Sequence, residues 1–111
     1  MAWRVNAPDP SFLKIDPDDI PPHRQWSVGT KLIEGEVTVL AAKGGWGKSA
    51  YSISVVCSAA SGRDFLNLKI YGGDKPVLYI NSEDDTDEVR RRIIAAARHH
   101  KVEKADLARI T

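Results

Sequence analysis

The chain has 111 residues, of which 42% are hydrophobic and 28% are charged, an ordinary composition for one small globular domain. Sixteen basic and fifteen acidic residues leave a net charge of +1, so bulk charge gives no indication of nucleic-acid binding. The single cysteine, Cys57, excludes an internal disulfide, and neither a signal segment nor an apolar run of roughly 18 residues is present. The sequence therefore predicts a cytoplasmic protein with no membrane partner.

Residues 1–26 form a proline-rich segment that we interpret as a linker or arm. They hold five of the six prolines and four aspartates, without a sustained hydrophobic period. Trp3, Phe12 and Trp26 are predicted to dock on the chain's own core, with a neighbouring subunit as the alternative. The folded domain is expected to occupy residues 27–111.

The first predicted strand and helix follow a turn at residues 32–36. Residues 37–42 are almost continuously apolar, which predicts a strand covered on both faces. A helix is expected to begin near Lys48 and to end at Gly62. Its apolar residues fall at helical spacing: Ile53, Val56, Cys57 and Ala60.

A second strand and helix come after an irregular connection at residues 63–76, which includes a candidate short strand or turn at 66–71. Residues 77–80 form the second apolar run. Asp85 is a candidate N-cap with Glu88 three residues later, and positive charge at residues 98–101 suits the end of the helix. Helical spacing appears at Val89, Ile93, Ala96 and Ala97. The alternation predicts an α/β fold of three layers with a parallel sheet.

A glycine-rich loop joins the first predicted strand to the first helix and ends in Gly-Lys-Ser. Glycines let the backbone approach phosphates so that successive N–H groups point inward, and the following helix start adds its positive dipole end. In such a loop Lys48 would reach the β- and γ-phosphates, and the Ser49 hydroxyl would bind Mg²⁺. The predicted nucleotide-binding residues are Ala42, Lys43, Gly44, Gly45, Trp46, Gly47, Lys48, Ser49 and Ala50.

The loop departs from the pattern G-x-x-x-x-G-K-[ST] at one position, where Ala42 replaces the first glycine. The alternative interpretation is a glycine-rich turn with a chance lysine. The position of the glycine-rich segment between an apolar run and a helical pattern favours a phosphate-binding loop over a turn. Such a loop binds the phosphates and does not contact the base, so it does not distinguish ATP from GTP.

An acidic run follows the second predicted strand. In parallel sheets ligands bind at the carboxyl ends of the strands, which places Glu83 and Asp84 on the same edge as the loop. A carboxylate there can orient and deprotonate an attacking water, so Glu83 is the candidate catalytic base. For Asp85 and Glu88 we favour helix capping instead.

Two further polar groups lie on the second helix. Residues 90–92 are three consecutive arginines, which we interpret as a solvated face, with subunit or nucleic-acid contact as the alternative. His99 and His100 lack a cysteine or carboxylate at metal-ligand spacing, and we assign them no metal.

The chain resembles the RecA-like ATPases, in particular the RepA-type branch that is related to hexameric replicative helicases and grouped with AAA family ATPases. The resemblance rests on residues 21–26, 35–42, 61–63 and 77–84 together with the arginine-rich helix. It implies ATP and Mg²⁺ as ligands, Glu83 as the water-activating base, and Lys48 and Ser49 at the phosphates. It also implies a homo-oligomeric ring that acts on nucleic acid, in DNA replication or helicase work.

RecA-like cores continue with a strand that ends in a magnesium-supporting aspartate, so we expect residues 27–111 to be the N-terminal part of such a domain. Two alternatives stay open. The loop also fits the dimeric ParA and MinD ATPases, in which a lysine at the position of Lys43 reaches the partner's nucleotide. The other alternative is a truncated nucleotide-binding module without catalysis, in which Glu83 has no role.

Overall fold

The computed structural model describes residues 15–111, so the predicted docking of Trp3 and Phe12 lies outside the described residues. Five elements follow one another along the chain. They are β1 (Trp26–Val28), β2 (Leu32–Ile33), α1 (Lys48–Ser61), α2 (Thr86–His100) and α3 (Lys104–Leu107). The described residues therefore form a mixed α/β arrangement in which the helices are the longer elements.

A small antiparallel hairpin precedes the loop. In it Trp26 lies opposite Ile33 and Val28 opposite Leu32. Val28 also forms an isolated antiparallel bridge with Ile70 and is only 1% exposed. The sequence did not predict this hairpin, because its strands are too short to show an alternating pattern. It brings the half-buried Trp26 and the buried Val28 onto the folded unit.

Helix α1 begins and ends where the sequence predicts. Its apolar stripe is buried and packs against α2, α3 and β1, with Ile53, Val56, Cys57 and Ala60 forming most of the core. Gly62 closes the helix in the left-handed conformation at φ 68°, which glycine adopts without a Cβ penalty. Burial raises the pKa of the Cys57 thiol, in keeping with a packing role.

Helix α2 is capped at its start as predicted. Asp85 accepts a hydrogen bond from the backbone N–H of Glu88 at 2.8 Å. The Glu88 side chain does not reach back to the cap, because it accepts hydrogen bonds from Arg91 and Arg92 instead. The helix ends at His100, and Ala97 is its buried contact with the core.

The predicted strand at residues 37–42 is not formed, and the expectation that both of its faces are covered is wrong. Val37 is 90% and Val39 80% exposed, and the segment has no regular secondary structure. A strand is stabilised by a neighbouring backbone that pairs with its N–H and C=O groups. No ladder partner lies beside this segment among residues 15–111, although Thr38 donates its hydroxyl to the carbonyl of Lys31 at 2.9 Å.

The second predicted strand, at residues 77–80, is represented by one parallel bridge between Val77 and Ile110. Val77 N–H donates to the carbonyl of Arg109 at 2.9 Å, and Tyr79 N–H donates to that of Thr111 at 2.8 Å. Parallel pairing thus occurs, but the two-stranded sheet of the described residues is antiparallel. The three-layer parallel sheet stays a prediction.

The short helix α3, which the sequence did not indicate, is tied to α1 through one arginine. Arg109 donates to the carbonyl of Ala60 at 3.1 Å and pairs with Asp74 at 2.6 Å and with Asp106. The guanidinium thereby satisfies a carbonyl near the end of α1 and joins three segments.

Candidate functional site

The glycine-rich loop takes a backbone path that requires glycine at two positions. Gly45 has φ 79° and Gly47 φ 83°, both in the left-handed region. A Cβ added at Gly44, Gly45 or Gly47 would meet nothing within 4 Å, so the space above the loop is open. Gly47 is the N-cap of α1 without a side-chain cap, and the first N–H groups of the helix are therefore available to an anion.

Lys48 and Ser49 open helix α1 directly beside this space. The Lys48 ammonium donates to the carbonyl of Ala42 at 2.7 Å, so it bridges the two ends of the loop. Ser49 is half-buried, and its neighbour Ala50 is exposed at the same end of the helix. The lysine is thus held at the mouth of the loop, where a phosphate can exchange for the carbonyl.

An open space of about 830 Å³, here called the cleft, lies between the loop, α1 and α2. It brings together most of the residues predicted to bind nucleotide with the predicted catalytic base Glu83. The predicted residues that line it are Gly44, Gly45, Gly47, Lys48, Ser49, Ala50 and Glu83. Ala42, Lys43 and Trp46 do not line it, and Trp46 is 75% exposed.

Glu83 is presented to the cleft by a tight turn after residues 77–80. The side-chain oxygen of Asn81 accepts from the backbone N–H groups of Glu83 and Asp84, at 2.8 and 2.9 Å. Within residues 15–111 the Glu83 carboxylate has no hydrogen bond or ion pair, while Asp84 pairs with Arg92. Of the two acidic residues of this turn, Glu83 is thus the one that lines the cleft, and its carboxylate has no partner among residues 15–111.

The second wall of the cleft is one face of α2, which the sequence did not indicate as part of the site. Arg92, Ala95, Ala96 and His99 recur at spacings of three or four, the spacing of one helix face. That spacing could have indicated a shared face. It could not show which of the three arginines lies on the face that meets α1.

Arg92 is anchored by two carboxylates at the start of α2. Its Nε donates to Glu88 at 2.9 Å and its Nη1 to Asp84 at 3.0 Å. These interactions raise the pKa of Arg92, the hydrogen bond to Glu88 contributing most. Reciprocally, hydrogen bonds from Arg92 and then Arg91 lower the pKa of Glu88. The guanidinium is therefore fixed and charged beside the cleft.

His100 also lines the cleft and belongs to an aromatic cluster. The ring of His100 stacks on Phe65 with centroids 4.4 Å apart, and Arg63 lies 4.9 Å from the centre of the Phe65 ring. Burial, followed by the charges of His99 and Arg63, lowers the pKa of His100. This imidazole is accordingly neutral at physiological pH.

The residues of the cleft fit a nucleoside triphosphate with Mg²⁺. The open glycine cradle and the uncapped helix start offer backbone N–H groups, and Lys48 offers a cation. No cluster of three or more histidine, cysteine or acidic residues able to hold a metal occurs in residues 15–111. The Ser49 hydroxyl, which lines the cleft, is the group that would hold magnesium together with phosphates and water, the usual arrangement at phosphate sites.

The loop and cleft define a nucleotide-binding chain of the phosphate-loop class. The sequence matches the AAA domain family over residues 4–111, and the chain belongs to this family. No curated protein and no solved structure matches the chain. The family assignment supports a nucleotide-binding, ATPase-type activity and the phosphate-loop NTPase fold.

In the part of the chain that the structure describes, no helix is both long enough and apolar enough to cross a bilayer.

Proposed function

We propose that this chain binds ATP with Mg²⁺ in the cleft and that Glu83 activates water for hydrolysis of the γ-phosphate. The observation that carries the proposal is the shared cleft, which Glu83 lines together with Lys48 and Ser49, the residues predicted to bind phosphate and Mg²⁺. The AAA domain match supports the ATPase class.

Each group has a role that follows from its chemistry. The loop amides and the Lys48 ammonium bind phosphate oxygens and stabilise the charge that spreads over them in the transition state. Bound Mg²⁺ would supply further charge neutralisation at the β- and γ-phosphates. The Glu83 carboxylate accepts a hydrogen bond from water and takes its proton as the water oxygen attacks the γ-phosphorus, while the bond from that phosphorus to the β,γ-bridging oxygen breaks and ADP leaves. Because the Glu83 carboxylate has no hydrogen-bond or ion-pair partner in the described residues, it is available to accept this proton.

We also propose a finer assignment to the RecA-like, RepA-type ATPases, working in the cytoplasm as a homo-oligomeric ring on nucleic acid in DNA replication or helicase work. The segments at residues 21–26, 35–42, 61–63 and 77–84 support it. In this proposal residues 1–26 are a linker or arm, and residues 27–111 belong to the ATPase domain. A test is whether single-stranded DNA raises the ATPase rate of the wild-type chain; an unchanged rate would argue against the nucleic-acid part.

Substituting Glu83 separates hydrolysis from binding. The Glu83→Gln variant keeps the shape of the side chain but removes the base, and we expect phosphate release to fall about 100-fold or more while the Kd for ATP stays within about twofold. Phosphate release and calorimetric binding of ATP with Mg²⁺ are measured on wild-type and variant protein.

Asp87→Asn is the matched control, because Asp87 is an exposed carboxylate that pairs with Arg90 outside the cleft. Its phosphate release should equal that of the wild type. If the wild-type chain binds ATP but Glu83→Gln leaves its phosphate release unchanged, Glu83 is not the base. If the wild type binds ATP without hydrolysing it, the chain is a nucleotide-binding module and the catalytic proposal fails.

A further inference from the structure

Two residues with arginine or lysine side chains line the cleft within residues 15–111, and they belong to different helices. Lys48 belongs to the loop and the start of α1, whereas Arg92 projects from α2. The phosphate loop accounts for the lysine alone. A second fixed cation facing the same space requires a separate explanation.

The guanidinium of Arg92 is held in place with donors to spare. Two of its five N–H groups donate to carboxylates: that of Nε to Glu88 and one of Nη1 to Asp84. The remaining N–H groups have no partner among residues 15–111, and the side chain, which is 42% exposed, belongs to a residue that lines the cleft. Two fixed carboxylates orient the fork before a ligand arrives, so little conformational entropy is lost on binding.

The neighbouring arginines show that anchoring α2 does not require a side chain in the cleft. Arg91 donates to Glu88 at 3.2 Å, and Arg90 lies 3.8 Å from Asp87, yet neither lines the cleft. Together Arg91 and Arg92 balance the charges of Asp84 and Glu88. The anchoring carboxylates therefore do not leave this wall with an excess of negative charge that would repel a phosphate.

We propose that Arg92 is a second phosphate-binding residue, which donates to the terminal phosphate of the bound nucleotide from the α2 side of the cleft. This inference rests on the proposed function, since it places the triphosphate in the same cleft. It assigns the terminal phosphate to the side of the cleft where Glu83 and Arg92 lie. Arg92 thus distinguishes a triphosphate from a diphosphate, in addition to tying the start of α2.

The test compares ATP and ADP binding, each with Mg²⁺, in wild-type, Arg92→Ala and Arg91→Ala protein by calorimetry. Arg92→Ala removes a charged hydrogen-bond donor to phosphate, so it should weaken ATP binding by about tenfold or more. ADP binding should change by less than about threefold. Arg91→Ala loses an ion pair with Glu88, which also pairs with Arg92, and it should leave the affinities for ATP and ADP near the wild-type values.

Arg92→Lys adds a readout that a purely structural role would not move. It keeps the charge but loses the planar fork, and it should show an intermediate affinity for ATP with unchanged affinity for ADP. If Arg92→Ala does not fold, this variant alone decides, and wild-type affinity for ATP in it overturns the inference.

Equal losses for ATP and ADP in Arg92→Ala, or equal effects of Arg92→Ala and Arg91→Ala, would also overturn it. These results leave the proposed function intact as long as the wild type binds ATP. Absence of ATP binding by the wild type would instead refute the proposed function, and this inference with it.

Discussion

His100 is the residue whose protonation the fold opposes most clearly. Its ring is stacked on Phe65, and its neighbours His99 and Arg63 are basic. Its pKa in the folded chain therefore lies below the ordinary value of 6.5. Because the native state favours the neutral ring, the contribution of His100 to stability is full above the unfolded pKa and is lost as the pH falls through the folded pKa.

We accordingly expect the free energy of unfolding to decrease as the pH is lowered from about 8 to about 5, and His100→Phe to flatten part of this decrease. Phenylalanine keeps the stacking on Phe65 without a titrating group. Urea unfolding at a series of pH values measures the effect. His23→Gln, which removes an exposed imidazole, is the control; a slope in His100→Phe as steep as in that control would show that His100 does not carry the dependence.

At the scale of elements, the end of α1 depends on one glycine for two reasons. Gly62 has φ 68°, and a Cβ there would lie 2.9 Å from the backbone nitrogen of Asp74. The helix end is fixed against this segment because Lys75 N–H donates to the carbonyl of Ala59 at 3.0 Å. The backbone around residue 74 therefore cannot move away without loss of that hydrogen bond.

Gly62→Ala should destabilise the chain more than Gly73→Ala does. Both glycines have positive φ, which costs an alanine roughly 1–2 kcal/mol. A Cβ at Gly73 meets nothing within 4 Å, so only the Gly62 variant adds a backbone clash. The difference between their free energies of unfolding in urea isolates the clash. Equal destabilisation would mean that the close approach to Asp74 is not maintained in solution.

The elements that the sequence predicted well are those whose signals are local. Asp85 caps α2 through a backbone N–H three residues later, and Gly62 ends α1 through its own left-handed conformation. The buried stripe of α1 follows from helical spacing alone. The left-handed backbone of the loop is likewise a local feature, because it needs glycine at Gly45 and Gly47 themselves.

The features that the sequence did not predict depend on partners distant along the chain. The apolar run at residues 37–42 indicated a strand, but an apolar pattern does not supply the neighbouring strand that pairing requires. The place of Arg92 in the cleft is set by how α2 packs on α1, which no local spacing among three arginines reveals.

For the molecule as a whole, the cleft is the central feature. It joins the loop before α1 to a wall of α2 and to the turn that carries Glu83. A ligand that bridges these parts would bind the folded chain and not the unfolded one, so it would also raise the unfolding temperature. Binding of ATP therefore tests the arrangement of the whole chain as well as its function.

The most direct measurement is calorimetric titration of ATP with Mg²⁺ into wild-type and Lys48→Ala protein. Lys104→Ala is the control, since it removes the same charge from an exposed position on α3. We predict saturable binding by the wild type and the control, and a Kd at least about tenfold higher for Lys48→Ala, which loses a charged hydrogen-bond donor to phosphate. Absence of binding by the wild type, or equal affinity in all three proteins, would contradict the assignment of the cleft as a nucleotide site.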